Sequence, residues 1–192
     1  MFRPALVAFV TLSACGPAVT TPDAGGVCRD GVKTPANLIE NPGFECDGSE
    51  WAAVSTYGTF DFAPGRTGRA GRITFGGLGG RLQYTKSFAP SPAGNRTYCF
   101  SAWLSGTAPF MRLRVLRDFD GSVQEVSFAE QVFPEFRRIP TLKVTADNAP
   151  KLILLFEMQT NRTDGQNAVA GHTMLIDDVD VWESTTNCAE SR

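Results

Sequence analysis

The run Met111-Arg112-Leu113-Arg114-Val115 alternates without a break, so an extended backbone puts Met111, Leu113 and Val115 on one face and both arginines on the other. That is the pattern of a strand with one face buried and one in water. Asp120-Gly121 follows, a pair suited to the positive-φ turn of a hairpin. Short alternating runs of this kind recur from Asn37 to Glu183, separated by Gly, Pro, Asn and Asp clusters, and no long stretch keeps a helical period. Strands are expected at 37–45, 56–62, 71–75, 81–88, 97–105, 110–117, 123–128, 136–144, 151–159 and 173–182. The fold class is therefore all-β, an antiparallel β-sandwich, and eight to ten strands in this length suggest a jelly roll.

The amino terminus reads differently. Arg3 precedes an apolar stretch from Ala5 to Leu12 and small residues follow, the layout of a secretory signal. The stretch is too short to cross a bilayer as a helix. Leu12-Ser13-Ala14-Cys15 resembles the lipobox of bacterial lipoproteins, which implies removal of residues 1–14 and a diacylglycerol on Cys15. Each buried methylene of such an anchor contributes ~0.8 kcal/mol, and stable attachment needs more than one chain. Residues 15–27, rich in Gly, Pro, Thr and Ala, read as a flexible tether, and residues 28–192 as a single domain. An exported protein anchored by lipid at the cell membrane or outer membrane is expected; Gly16 is not the aspartate that can retain lipoproteins at an inner membrane. The formal charge of −2, or −3 once Arg3 leaves with the signal, comes without Lys/Arg clusters. Nucleic acid is thus not the expected partner.

Setting Cys15 aside leaves Cys28, Cys46, Cys99 and Cys188, an even number that in an oxidising compartment suggests two disulfides. Three pairings exist. Cys28 with Cys188 is favoured because the chain ends of a sandwich usually lie on neighbouring strands, which leaves Cys46 with Cys99. Zinc is not expected, since there is no CxxC pair and His172 is the single histidine.

Four segments then take on a joint meaning: Asn37-Leu-Ile-Glu-Asn-Pro-Gly-Phe-Glu45, Trp51, Ala93-Gly-Asn-Arg-Thr-Tyr-Cys-Phe-Ser-Ala-Trp103 and Leu175-Ile-Asp-Asp-Val-Asp-Val181. In this order they resemble carbohydrate-binding modules of families 4, 9 and 22, which are galactose-binding-domain-like jelly rolls. The resemblance implies noncatalytic binding of a polysaccharide or cell-surface glycan in a groove across the concave sheet. It also implies a structural calcium between the acid ending the first strand and an aspartate of the last, by position Glu45 with Asp177 or Asp178. Hard carboxylate oxygens converging from the two chain ends suit that ion.

Strand parity indicates which residues would face the groove. With Tyr98, Phe100, Ala102 and Leu104 inward, Ser101 and Trp103 point out; the same argument turns Arg112, Arg114, Glu157 and Gln159 outward and sets Gln83 opposite Leu82 and Tyr84. Trp103, Gln83, Arg112, Arg114, Glu157 and Gln159 are expected to form one aromatic-plus-polar patch. A slip of one residue in register would reverse each facing. Trp51 reads as a core residue, and Tyr57 lies near a loop that could wall the groove. Gly76 to Gly80 lacks the Lys-Ser/Thr and helix of a phosphate loop and reads as a strand connection. Nothing points to an enzyme: there is no Gly-x-Ser-x-Gly elbow, His172 has no evident partners, and Asp118 and Asp120 sit where a hairpin turn expects solvated Asp. The other reading is a structural or protein-binding envelope lipoprotein on the same scaffold.

Overall fold

The computed structural model describes residues 37–184 and 188, apart from 47, 49, 55–57, 87–95 and 121. The signal, Cys15, the tether, Cys28, Tyr57 and Gly121 lie outside the described residues. The strands are β1 (Trp51–Ala53), β2 (Thr59–Pro64), β3 (Arg69–Thr74), β4 (Arg81–Tyr84), β5 (Thr97–Gly106), β6 (Phe110–Asp118), β7 (Val123–Gln131), β8 (Arg137–Arg138), β9 (Leu142–Thr145), β10 (Lys151–Met158) and β11 (Thr173–Ser184). They form two antiparallel sheets. One runs β1-β4-β10-β6-β7; the other runs β2-β3-β11-β5-β8, with β9 also pairing with β5.

Alternation decides what each strand buries. In β10, Leu152, Leu154, Phe156 and Met158 point inward and are all at most 1% exposed. In β6, Met111, Leu113 and Val115 meet them from the neighbouring strand, through the pairs Met158↔Met111, Phe156↔Leu113 and Leu154↔Val115. The opposite sheet supplies Tyr98, Phe100, Ala102 and Leu104 from β5 and Met174, Ile176, Val179 and Val181 from β11. At one end of this core Trp51 gathers Phe44, Tyr84 and Phe156, with ring centroids at 5.0, 5.1 and 6.2 Å. Its indole N–H donates to the Asn41 carbonyl at 3.1 Å, which satisfies the one polar atom the burial would otherwise strand.

Strand β11 bulges where its acidic run begins. Asp177 opposes Trp103 but Asp180 opposes Ser101, so β11 carries one residue more than β5 between these points. Asp178 takes a positive φ of 43° within the bulge.

Three expectations need correction. Residues 37–45 follow β11 without becoming a strand: Leu38 N–H donates to Val181 O at 2.7 Å and the Asn37 side chain bonds Val179 O and Val181 N–H, but Asn41 and Phe44 turn to φ 53° and 60°. The run 136–144 divides into β8 and β9, for Pro140 between them has no N–H to give a ladder. Finally, the disulfide joins Cys99 to Cys188, with Cα atoms 5.6 Å apart, so neither Cys28 with Cys188 nor Cys46 with Cys99 is formed. Cys99 opposes Trp182 on β11, and the chain leaving that strand at Ser184 needs only a few residues to come back over it. Cys46 is buried in the turn ahead of β1, its N–H on Asn41 Oδ1 at 3.1 Å.

Candidate functional site

Three cross-strand rows occupy the middle of the outer face of the five-stranded sheet. Register aligns Ala52, Gln83, Leu155, Arg114 and Ser127 in one row and Arg81, Glu157, Arg112 and Ala129 in the next. A third holds Ile153, Leu116 and Glu125. Neighbouring strands stand ~4.8 Å apart, so these side chains form a grid rather than a scatter. Ion pairs link the grid. Arg114 lies between two carboxylates, its Nη1 on Glu157 Oε2 at 2.8 Å and its Nη2 on Glu125 Oε2 at 2.6 Å. The other oxygen of Glu157 receives Arg81. Burial works against the charge of Glu125, but hydrogen bonds from Ser127 and Arg114 and the charges of Arg114 and Arg112 outweigh it and hold the carboxyl below its ordinary range.

Arg112 differs from its neighbours. Its side chain is 42% exposed, against 18% for Arg114, and its nearest carboxylate is Glu125 at 3.8 Å, beyond hydrogen-bond reach. It borders a small pocket of about 60 Å³ lined also by Glu157, Met158, Gln159, Thr160 and Asn161. Gln159 is 8% exposed and its carbonyl accepts from Arg162 Nη1 at 3.0 Å. Among the described strand residues, Phe110 is the one aromatic that parity turns to this face, and the Arg162 guanidinium covers its ring at 3.5 Å.

Of the six expected groove residues, five thus share one face: Gln83, Arg112, Arg114, Glu157 and Gln159. Trp103 does not. It does point away from the core, but β5 and β6, though consecutive in the chain, belong to different sheets, so Trp103 sits on the far side of the sandwich. There the Arg66 guanidinium lies over its ring at 4.5 Å.

The same far side holds the acidic residues. Glu45 Oε1 accepts the Arg69 N–H at 2.8 Å, and Asp177 Oδ2 accepts the Arg66 N–H at 2.7 Å, so both carboxylates clasp the turn between β2 and β3. Asp178 receives the Arg66 side chain, with Nε at 2.9 Å. Glycine is required at the turn: a Cβ on Gly68 would lie 1.9 Å from Glu45 Oε1 and one on Gly65 2.6 Å from Asp177 Oδ2. A Cβ on Gly43 would meet oxygens of both Asp177 and Asp178 at 3.7 Å and Glu45 Cγ at 3.9 Å, so the three acids gather around one point. Asp177 is fully buried; burial, then the charge of Asp178, push its carboxyl up to about 6 against the pull of three backbone N–H groups. Among the described residues no three His, Cys, Asp or Glu side chains are grouped to hold a metal, so carbonyl oxygens would have to complete any shell here.

No family model matches the sequence, and no curated protein does. Solved structures do. The chain is similar to a family 61 carbohydrate-binding module in complex with beta-1,4-galactotriose, at TM-score 0.53 and 14% identity over 77% of this chain and 99% of that one. The fold is that of the carbohydrate-binding jelly rolls. A second likeness is to the CBM22-2 xylan-binding domain of Paenibacillus barcinonensis Xyn10C, at TM-score 0.53 and 14% identity over 74% and 98% of the two chains. A third is to the enzymatically active domain of bacteriophage CBA120 tailspike protein 4, at 0.57 and 13%, covering 78% of this chain but 22% of that one. A jelly roll therefore does not settle binding against catalysis, and chemistry must be argued from the faces of this one.

Two members of the grid, Arg81 and Glu125, escape a reading based on single strands. Both were within reach of parity: Arg81 shares a face with Gln83, two residues on, and Glu125 lies on the hairpin partner of β6. Arg162 and Asn161 come from the segment after β10, where no alternation guides the eye.

Proposed function

We propose that the protein is a noncatalytic glycan-binding module that holds its sugar across the outer face of the five-stranded sheet. The observation that carries this reading is the grid itself: planar polar side chains on adjacent strands, fixed by mutual ion pairs, with the Arg112 guanidinium and the Gln159 amide beside a pocket. Fixed planar donors and acceptors recognise ring hydroxyls with little ordering cost. The jelly-roll likeness to sugar-binding modules supports the same reading as analogy. Catalysis fits less well. Glycoside cleavage needs a free pair of carboxyls, whereas both oxygens of Glu157 are engaged by guanidiniums and Glu125 is held below its usual range.

The test is a glycan array and an insoluble-polysaccharide pull-down with the full chain carrying Cys15→Ser. Arg112→Ala and Gln159→Ala should each weaken binding about tenfold, the scale of one charge-assisted or buried hydrogen bond, while Trp103→Ala leaves it unchanged. No binding by the folded protein across a broad panel would return the case to a structural or protein-binding envelope role. Loss on Trp103→Ala alone would move the site to the other sheet.

Two further parts of the reading have their own tests. Export and lipid attachment at Cys15 predict membrane-fraction protein that Cys15→Ser releases; equal partitioning of both forms would refute the anchor. Calcium at the acidic clasp would be held by Glu45, Asp177 and Asp178 and would supply positive charge beside the buried Asp177 carboxylate. Calcium should then raise the melting temperature over that in chelator, an increment lost in Asp177→Ala; identical melts with and without the ion would exclude it.

A further inference from the structure

We infer that the glycan this face takes is an acidic one, carrying carboxylate or sulfate groups, and that Arg112 is the residue that reads the charge. The inference rests on the glycan-binding reading and specifies its ligand. Three arginines, Arg81, Arg112 and Arg114, share the face with two carboxylates, Glu125 and Glu157, so the grid is one positive charge in excess. The carboxylates are consumed internally. Both oxygens of Glu157 receive guanidinium groups, from Arg81 and Arg114, and Glu125 Oε2 receives Arg114 at 2.6 Å. Arg112 alone of the three donates no hydrogen bond to either carboxylate: it is half in water and its ion pair with Glu125 is a loose one, at 3.8 Å.

The charge left unspent at the pocket is therefore positive, since the one carboxylate in its lining, Glu157, is engaged by Arg81 and Arg114. Arg112 brings its guanidinium N–H groups, and the carbonyl of Gln159, also in the lining, is already engaged by Arg162 at 3.0 Å. A neutral sugar hydroxyl can bond to such a face but leaves the charge of Arg112 unmatched. A carboxylate or sulfate, which only accepts, is matched in charge and geometry, and a guanidinium meets such a planar or trigonal array of oxygens in a two-pronged way. The stacking alternative is weak on the same face. Strand parity brings it one aromatic among the described residues, Phe110, and that ring is already occupied by Arg162 at 3.5 Å.

The discriminating experiment keeps the sugar backbone and changes its charge. Binding of the full chain carrying Cys15→Ser is measured against polygalacturonate, the same polymer with its carboxyl groups reduced to alcohols, a sulfated galactan and neutral beta-1,4-galactan. At least one acidic polymer should bind about tenfold or more tighter than its neutral counterpart, with affinity falling as salt rises from ~50 to ~300 mM. Which acidic polymer wins separates carboxylate from sulfate. Arg112→Gln should abolish the preference and leave the melting temperature in place, and Arg112→Lys should restore part of it by keeping the charge without the fork. Equal or tighter binding of the neutral polymers would overturn the inference while leaving the glycan-binding reading intact. Binding of none would overturn the inference, and absence of binding across the broad panel as well would overturn the glycan-binding reading with it.

Discussion

Asp177 is the residue whose environment makes the sharpest statement about pH. Its carboxyl is raised to about 6 in the folded protein, first by burial and then by Asp178, against ~3.9 in an unfolded chain. Between these values the native state holds a proton that the unfolded state has released, so this residue's contribution to stability declines as pH rises from about 4 to about 6 and is constant beyond. The size is on the order of 3 kcal/mol, from a shift of about two units. Urea midpoints at pH 4.5 and pH 7 in chelator should therefore change differently in the native protein and in Asp177→Asn, the native protein losing more on going to pH 7. Parallel behaviour of the two would mean that the carboxylate is already neutralised by its N–H donors and Arg66. Arg66 itself links the two halves of this region, bonding Asp178 while lying over Trp103, a contact worth roughly 0.5–1 kcal/mol at a half-exposed site.

Among the elements, β10 has most of its neighbours in the core. It is the middle strand of its sheet, and Phe156 is completely buried against Trp51, Leu82 and Leu113. Phe156→Ala should destabilise by about 3–5 kcal/mol, read from a denaturation midpoint, whereas Lys151→Ala at the exposed start of the same strand should stay within about 0.5 kcal/mol. A loss below 1 kcal/mol at Phe156 would mean that the sheets do not pack as described. Strands such as β6 and β10 were legible in the sequence because alternation is a local signal: Met111 to Val115 carries its own facing. Residues 37–45 carry apolar Leu38, Ile39 and Phe44 and suggest a strand, but Asn41 and Phe44 turn, and the segment's hydrogen bonds run to β11 far along the chain. Trp103 was read with the correct facing and grouped with the wrong sheet, since parity says which way a side chain points from its strand and nothing about which strands are neighbours. The disulfide partner of Cys188 was hidden for the same reason: it depends on the β5–β11 pairing, which joins segments some 80 residues apart.

At the scale of the whole molecule, that disulfide spans a sequence separation of 89 and closes a loop containing β6 to β11. A loop of this length is expected to contribute about 4–5 kcal/mol by restricting the unfolded chain, so Cys188→Ser should lower the unfolding free energy by that order. An unchanged midpoint under non-reducing conditions would show that the bond is absent in solution. The bond also decides what the protein does under load. When the two chain ends are pulled apart, the force must pass through Cys99 and Cys188. Everything between them is shielded. Only the stretch ahead of Cys99 can pay out, so rupture of the intact protein should lengthen it by roughly 200 Å, at ~3.5 Å per residue, and reduction should more than double that yield. The sheet that carries Arg112, Arg114, Glu157 and Gln159 is divided by this boundary, with β6, β7 and β10 inside the shielded loop and β1 and β4 outside it. Under tension the oxidised protein would therefore let go of β1 and β4 first and keep the arginine-bearing strand β6 threaded to its partners, a tether that gives way in steps instead of all at once.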